Sequence, residues 1–112
     1  MKTLDELKEA FLELYPAEEN AREQRLRIAQ GKCENCGKGG IHLEQHHCIE
    51  GKLRRTFFER VFTTRMVGYN CHHGSGEAVM ISKFRKEVEA ILLQDFEIED
   101  VLTICGRAGL TL

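Results

Sequence analysis

Residues 33 to 73 read CENCGKGGIHLEQHHCIEGKLRRTFFERVFTTRMVGYNCHH, and this one stretch holds four of the five cysteines and all five histidines of a 112-residue chain. Thiolate and imidazole are the donors that zinc and its neighbours prefer, so gathering them into about a third of the sequence points to metal. Cys33 and Cys36, spaced C-x-x-C, have the shape of a zinc knuckle. A tight turn aims both sulfurs at one ion, and Gly37 directly behind lets the backbone fold under them. A redox reading of the pair would need a βαβ context that the sequence does not offer. The odd cysteine count is poor material for a disulfide framework and fits zinc in a reducing cytoplasm.

Behind the knuckle the pattern changes to alternation. Over Ile41 to Ile49 (IHLEQHHCI) a period of two predicts a strand with His42, Glu44, His46 and Cys48 on one face, and Ile41, Leu43, Gln45, His47 and Ile49 on the other. Neighbouring histidines on a strand point in opposite directions. They can therefore hold different jobs, one as ligand and one as base beside a substrate, or they can simply be surface residues. A turn at Glu50-Gly51 follows. Residues 52 to 65 (KLRRTFFERVFTTR) carry five bases and one acid among Phe57, Phe58 and Phe62. The rings read as core, whereas Lys52, Arg54 and Arg55, close behind the histidine strand, read as phosphate contacts. Gly68-Tyr69-Asn70-Cys71-His72-His73 then joins a further cysteine to a second histidine pair, in a loop that opens a helix.

The flanks read as helices. Thr3-Leu4-Asp5-Glu6 has the form of a capping box, and Leu4, Leu7, Ala10, Phe11 and Leu14 recur at helical spacing up to Pro16. Pro16 suits a first helical turn, and residues 17 to 30 (AEENAREQRLRIAQ) offer Glu18–Arg22 and Glu23–Arg27 at i,i+4 with Gly31 as a stop. Their apolar stripe is thin, so this second helix is expected to be a largely exposed connector or to face a partner subunit. Toward the C-terminus, Ser82 is expected to cap a helix carrying Phe84, Val88, Ile91 and Leu92. After Asp95 a shorter helix aligns Ile98, Val101, Leu102 and Cys105, with Cys105 a buried thiol and Gly106 the stop.

Charge is distributed unevenly. The chain totals −2, but residues 31 to 86 hold ten bases against five acids, whereas residues 1 to 30 net −2 and residues 87 to 112 net −5. The ligand-rich segment is thus the basic one, as expected if it meets a polyanion, with Lys83, Arg85 and Lys86 extending that surface. No apolar run approaches the roughly 18 residues that cross a bilayer, and the N-terminus lacks the pattern of a signal peptide. The expectation is one cytoplasmic domain over 1–112, with no membrane partner.

The order C-x-x-C, His-His on a strand, a basic turn, and Cys followed at once by His resembles the HNH endonuclease family. These are ββα-metal nucleases on a treble-clef-like zinc scaffold, many of them encoded by phages and mobile elements. The resemblance spans roughly residues 33 to 80. It implies an α+β fold with a helical arm at 1–30, an HNH-like zinc and metal core at 31–81, and C-terminal helices at 82–112. It implies hydrolysis of DNA phosphodiester bonds, with His47 as general base and an Mg²⁺-like divalent ion held by His46 and by His72 or His73. Structural zinc would rest on Cys33, Cys36 and Cys71. Gly68 stands where the family often has a further cysteine, leaving Cys48, His42 or water as the fourth ligand. Met80 stands near where the family often has another histidine, and a thioether does not hold a hard cation. The alternative is a zinc-stabilised module of related fold that binds DNA or a protein partner without cleaving. A zinc-held adaptor is a third reading, and the N-terminal helices offer a route to a homodimer.

Overall fold

The computed structural model describes residues 2–50 and 52–106, with only the backbone given for residues 52–54. Gly51 of the expected turn, the side chains of Lys52 and Arg54, and residues 107–112 of the expected C-terminal region lie outside the described residues. Among those described, the order is α1 (Leu4–Leu14), α2 (Ala21–Ala29), β1 (Leu43–His47), α3 (Lys52–Phe58), a 3-10 turn (Val61–Thr63), β2 (Thr64–Gly68), α4 (Tyr69–His73), α5 (Glu77–Leu92) and α6 (Ile98–Ile104). This is a small α+β domain with one two-stranded antiparallel sheet.

α1 starts as its sequence implies. Thr3 Oγ1 accepts from the Glu6 amide while the Glu6 carboxylate accepts from the Thr3 amide, satisfying two amides that the helix start would otherwise leave unpaired. Leu7 and Phe11 are fully buried, and Phe11 meets the ring of Phe58 edge-on at 4.8 Å. Leu7 and Phe11 of the expected stripe of α1 are thus spent inside the molecule, whereas Leu4 and Leu14, expected to share it, stay exposed, as does Leu12. Tyr15 Oη donates to Asp95 at 2.6 Å and Lys2 pairs with Asp100, which ties the chain start to the region of α6.

α2 departs from expectation. It begins at Ala21, after Asn20 in the left-handed region, and Pro16 precedes it in a non-helical connector. Glu18, expected to pair with Arg22 along a helix, accepts instead from the Val61 amide at 2.7 Å. The helix is also more than a solvated connector. It lies against β2 and the 3-10 turn, with Ala29 buried and Arg25 half-buried. Arg25 explains why so weak an apolar stripe is docked. Its Nε and Nη2 grip both oxygens of Glu34, at 3.0 and 2.6 Å, and one of those oxygens also accepts from the Met66 amide at 2.6 Å. A bidentate arginine is a strong anchor that a count of apolar residues misses.

The hairpin pairs Glu44 with Val67 and His46 with Arg65, so Glu44 and His46 share a face. β1 is shorter than the expected 41–49 run, since Ile41 bends and His42 is irregular before it, and Cys48 and Ile49 bend after it. The basic-aromatic run folds as α3, the 3-10 turn and the start of β2. Phe58 is buried and Phe62 half-buried as expected of core rings, but Phe57 is 41% exposed, with Lys8 Nζ 4.0 Å from its ring centre. α5 begins at Glu77, so Ser82 is an interior residue and not a cap. Met80, Phe84, Val88 and Leu92 form its buried stripe, and that spacing carries the helix back one turn further than the hydroxyl suggested. Val101, Ile104 and Cys105 complete the core from α6 and the residue after it, whereas Ile98, expected on that stripe, is exposed and Leu102 only half-buried.

Removing the Glu34 carboxylate leaves the Arg25 guanidinium and the Met66 amide without their acceptor. Glu34→Ala should cost about 2–3 kcal/mol of unfolding free energy, and Arg25→Ala a similar amount, with the double variant costing less than the sum. Denaturant midpoints check this, and parent-like midpoints for both single variants would show that the pair does not hold α2.

Candidate metal centres

Two clusters of donor side chains meet at α4. The first is sulfur: the Sγ atoms of Cys33, Cys36 and Cys71 all lie within 4.8 Å of one another. A tight turn brings the first two together, with the Cys33 amide donating to Lys38 O and the Gly37 amide to Cys33 O. Gly37 sits at φ +79, where a side chain would be strained. The third sulfur arrives on α4, one turn past the end of β2. Burial opposes ionisation of Cys33, yet hydrogen bonds from the Gly68, Cys36 and Asn35 backbones outweigh it and hold that thiol at about 7. For Cys71, a hydrogen bond from Asn35 favours the thiolate, but burial and the two neighbouring sulfurs together push its pKa up. Cys33 is thus ready to ionise, while Cys71 beside it resists a second negative charge. That is the electrostatic condition a cation relieves, and the three cysteines could hold a metal such as zinc.

The second cluster is imidazole and carboxylate. Glu44 Oε1 on β1 lies 3.1 Å from His72 Nδ1 and 2.9 Å from His73 Nε2, and the three residues form a second group with ligand atoms within 4.8 Å of one another. The hydrogen bond from His72 is the main reason that the Glu44 carboxyl stays below its usual range, against the opposing effect of burial. His46 comes from the same face of β1, its ring 5.4 Å from that of His72 and roughly perpendicular to it. Its side chain is only 7% exposed, and its Nε2 is buried without a hydrogen-bond partner. His46 is not among the three residues whose ligand atoms group within 4.8 Å, but a buried imidazole nitrogen with no partner, next to His72, is a donor that a cation could use.

His47 points to the other side of the strand, with Nε2 3.3 Å from Glu59 Oε2, while Glu59 Oε1 accepts from Gln45 at 3.3 Å. Arg55 is half-buried and near enough to His47 for its charge to oppose protonation there.

The structure therefore brings Cys33, Cys36 and Cys71 together, and gathers His46, His72 and His73. The remaining candidates lie outside the sulfur group. Cys48 packs in the hydrophobic core, its thiol pushed up to about 12 by burial, and does not join the sulfur group. His42 is exposed and lines a small cavity with Cys36 and Cys71. Met80 is buried in the core, 1% exposed. Two site residues escaped the sequence reading. Alternation puts Glu44 on the His46 face without marking a role for it, and Glu59, one residue past α3, meets His47 only in the folded chain.

Burial holds His46 at about 4, with the neighbouring His72, His47 and Arg65 adding to it, whereas an unfolded histidine titrates near 6.5. Between these values only the unfolded chain takes the proton, so acidification through that window should remove stability from the metal-free protein, and full stability returns above 6.5. His47, lowered chiefly by burial, adds in the same direction. Denaturant midpoints across this range should fall with pH for the parent and fall less for His46→Leu; a flat parent profile would contradict the burial of His46. In comparisons with protein-family models, curated proteins and solved structures, nothing matches this chain.

Proposed function

We propose that this protein is a metal-dependent DNA endonuclease of HNH type. The observation that carries the reading is the approach of His46 on β1 to His72 on α4, beside Glu44 and His73, with His46 Nε2 left open. A hairpin followed by a helix, with donors on both and sulfurs at the helix base, is what the resemblance of the sequence implies. The fine identity of the fold as ββα-metal is part of the same proposal.

His46, His72, His73 and Glu44 would hold the catalytic ion. Imidazoles with one carboxylate suit Mn²⁺ or Ni²⁺ better than Mg²⁺, which favours oxygen. When bound, such an ion neutralises charge on the phosphoryl oxygens and assists the departing 3′-oxygen.

His47 serves as the base. Glu59 beside Nε2 favours the tautomer with its proton there, which leaves Nδ1 to accept a proton from water. Burial holds His47 below its ordinary value, outweighing the pull of Glu59, so the ring is neutral and basic near neutral pH. Arg55 supplies positive charge beside it for a phosphate, and Lys52 and Arg54 belong to the same helix, α3.

One observation favours the binding module instead. Glu44 already pairs with both His72 and His73, a knot that is satisfied without an ion.

With Mn²⁺ or Ni²⁺ the protein should nick and linearise supercoiled DNA faster than with Mg²⁺. His47→Ala should lower the rate by about 10²-fold or more while DNA still shifts in a gel. Parent-like cleavage by that variant would remove the base assignment. Glu59→Gln should lower kcat with KM unchanged, whereas equal effects on both would make Glu59 a structural residue. A parent that binds DNA and cuts none with any of these ions leaves the module reading.

A further inference from the structure

Structural zinc takes four donors in a closed site, and the sulfur cluster supplies three. The fourth position does not belong to residue 68. A Cβ at Gly68 would stand 2.6 Å from Ile41 Cδ1 and 3.9 Å from Cys33 Cβ, so Ile41 fills the space a cysteine would need. Nor does it belong to Cys48, which lies in the hydrophobic core outside the sulfur group. Beside the sulfurs opens a cavity of about 190 Å³ whose lining includes Cys36, Lys38, His42, Tyr69, Asn70 and Cys71.

We propose that His42 is the fourth ligand of a zinc ion held by Cys33, Cys36 and Cys71, closing a Cys3His centre. Of the side chains on that cavity, His42 alone offers an imidazole nitrogen, a donor that zinc takes readily. Lys38 is an ammonium, while the Asn70 amide and the Tyr69 phenol are poor zinc donors. The His42 nitrogens lie outside the 4.8 Å group that the sulfurs form, so the ring must turn toward them. It can do so at little cost. His42 is exposed, and among the described residues no hydrogen bond or ion pair is seen to hold it.

Charge argues the same way. Zinc with three thiolates carries one net negative charge; an imidazole completes the tetrahedron without adding to it, and Lys38 on the same cavity offsets what remains. The proposal rests on zinc at the three sulfurs and is independent of whether the protein cleaves DNA.

The test is metal binding by the whole chain. Zinc content of the purified parent comes first, followed by affinity from chelator competition and the absorption of the cobalt-substituted form. His42→Ala should weaken zinc by more than about tenfold, the loss that even an outer partner of a ligand can cause. His42→Cys should restore affinity and move the cobalt bands to lower energy, as a fourth thiolate replaces a stronger-field nitrogen. Cys48→Ala should leave affinity and spectrum unchanged. X-ray absorption of the zinc form should give three sulfurs and one nitrogen. Parent-like affinity and cobalt spectrum in His42→Ala, or loss of the metal in Cys48→Ala, would overturn the assignment of His42 alone. A parent that carries no zinc would overturn it together with the sulfur site.

Discussion

A single carboxylate, that of Glu34, connects three parts of the chain. It sits between the two knuckle cysteines, takes both arms of Arg25 from α2, and accepts the Met66 amide from β2. Its own amide donates to Met66 O, so residue 34 extends the pairing of β2 outward into the knuckle. An ion pair with both side chains 13% exposed is costly to assemble and far costlier to break on one side, because the remaining charge is left without water. Such a joint fixes geometry more than it adds net stability. It sets where Cys33 and Cys36 stand relative to the strand that leads into Cys71.

From that fixed edge the rest of the functional region follows by register. Pairing His46 with Arg65 and Glu44 with Val67 sends Glu44 and His46 toward α4, and Gln45 and His47 toward Glu59. Two carboxylates thus divide four imidazoles between the faces of one strand. Glu44 is held ionised chiefly by the His72 hydrogen bond, whereas His46 is held neutral by burial. Opposed environments a few ångströms apart are a recurrent property of sites that bind ions or move protons.

Much of this was legible in the sequence, and the rest was hidden for identifiable reasons. The capping box of α1 and the period-two alternation at residues 43–47 are local signals that survive folding, whereas the stripe expected of α6 is kept only in part, with Val101 and Cys105 buried and Ile98 exposed. The start of α2 was misread because helix-forming residues after Pro16 do not reveal that Glu18 is drawn away by the Val61 amide, 43 positions downstream. Ser82 looked like a cap because hydroxyls favour that position, but the apolar stripe running back to Met80 outweighs a single hydroxyl. Arg25, Glu44 and Glu59 share one cause. Each is a charged residue whose partner is distant or on another element, and nothing in its immediate neighbours marks it. The Cys33–Cys36 pair is readable from spacing, and the α+β class and the addition of Cys71 to that pair are what the family resemblance implies, while the carboxylates that tune the imidazoles needed coordinates.

α4 is five residues long, and Cys71, His72 and His73 are consecutive on it. Sulfur donor and imidazole donors are therefore joined by a single peptide link, with no hinge between them. Gly74 follows with its backbone so close to Asn70 O that a Cβ there would come within 2.0 Å. One residue added between Cys71 and His72 would swing the imidazoles by about 100° around the helix axis. Either the sulfurs or the imidazoles would then face away from their cluster. The spacing at this point is consequently all or nothing, and a descendant of this chain could change the chemistry of its donors far more readily than their separation.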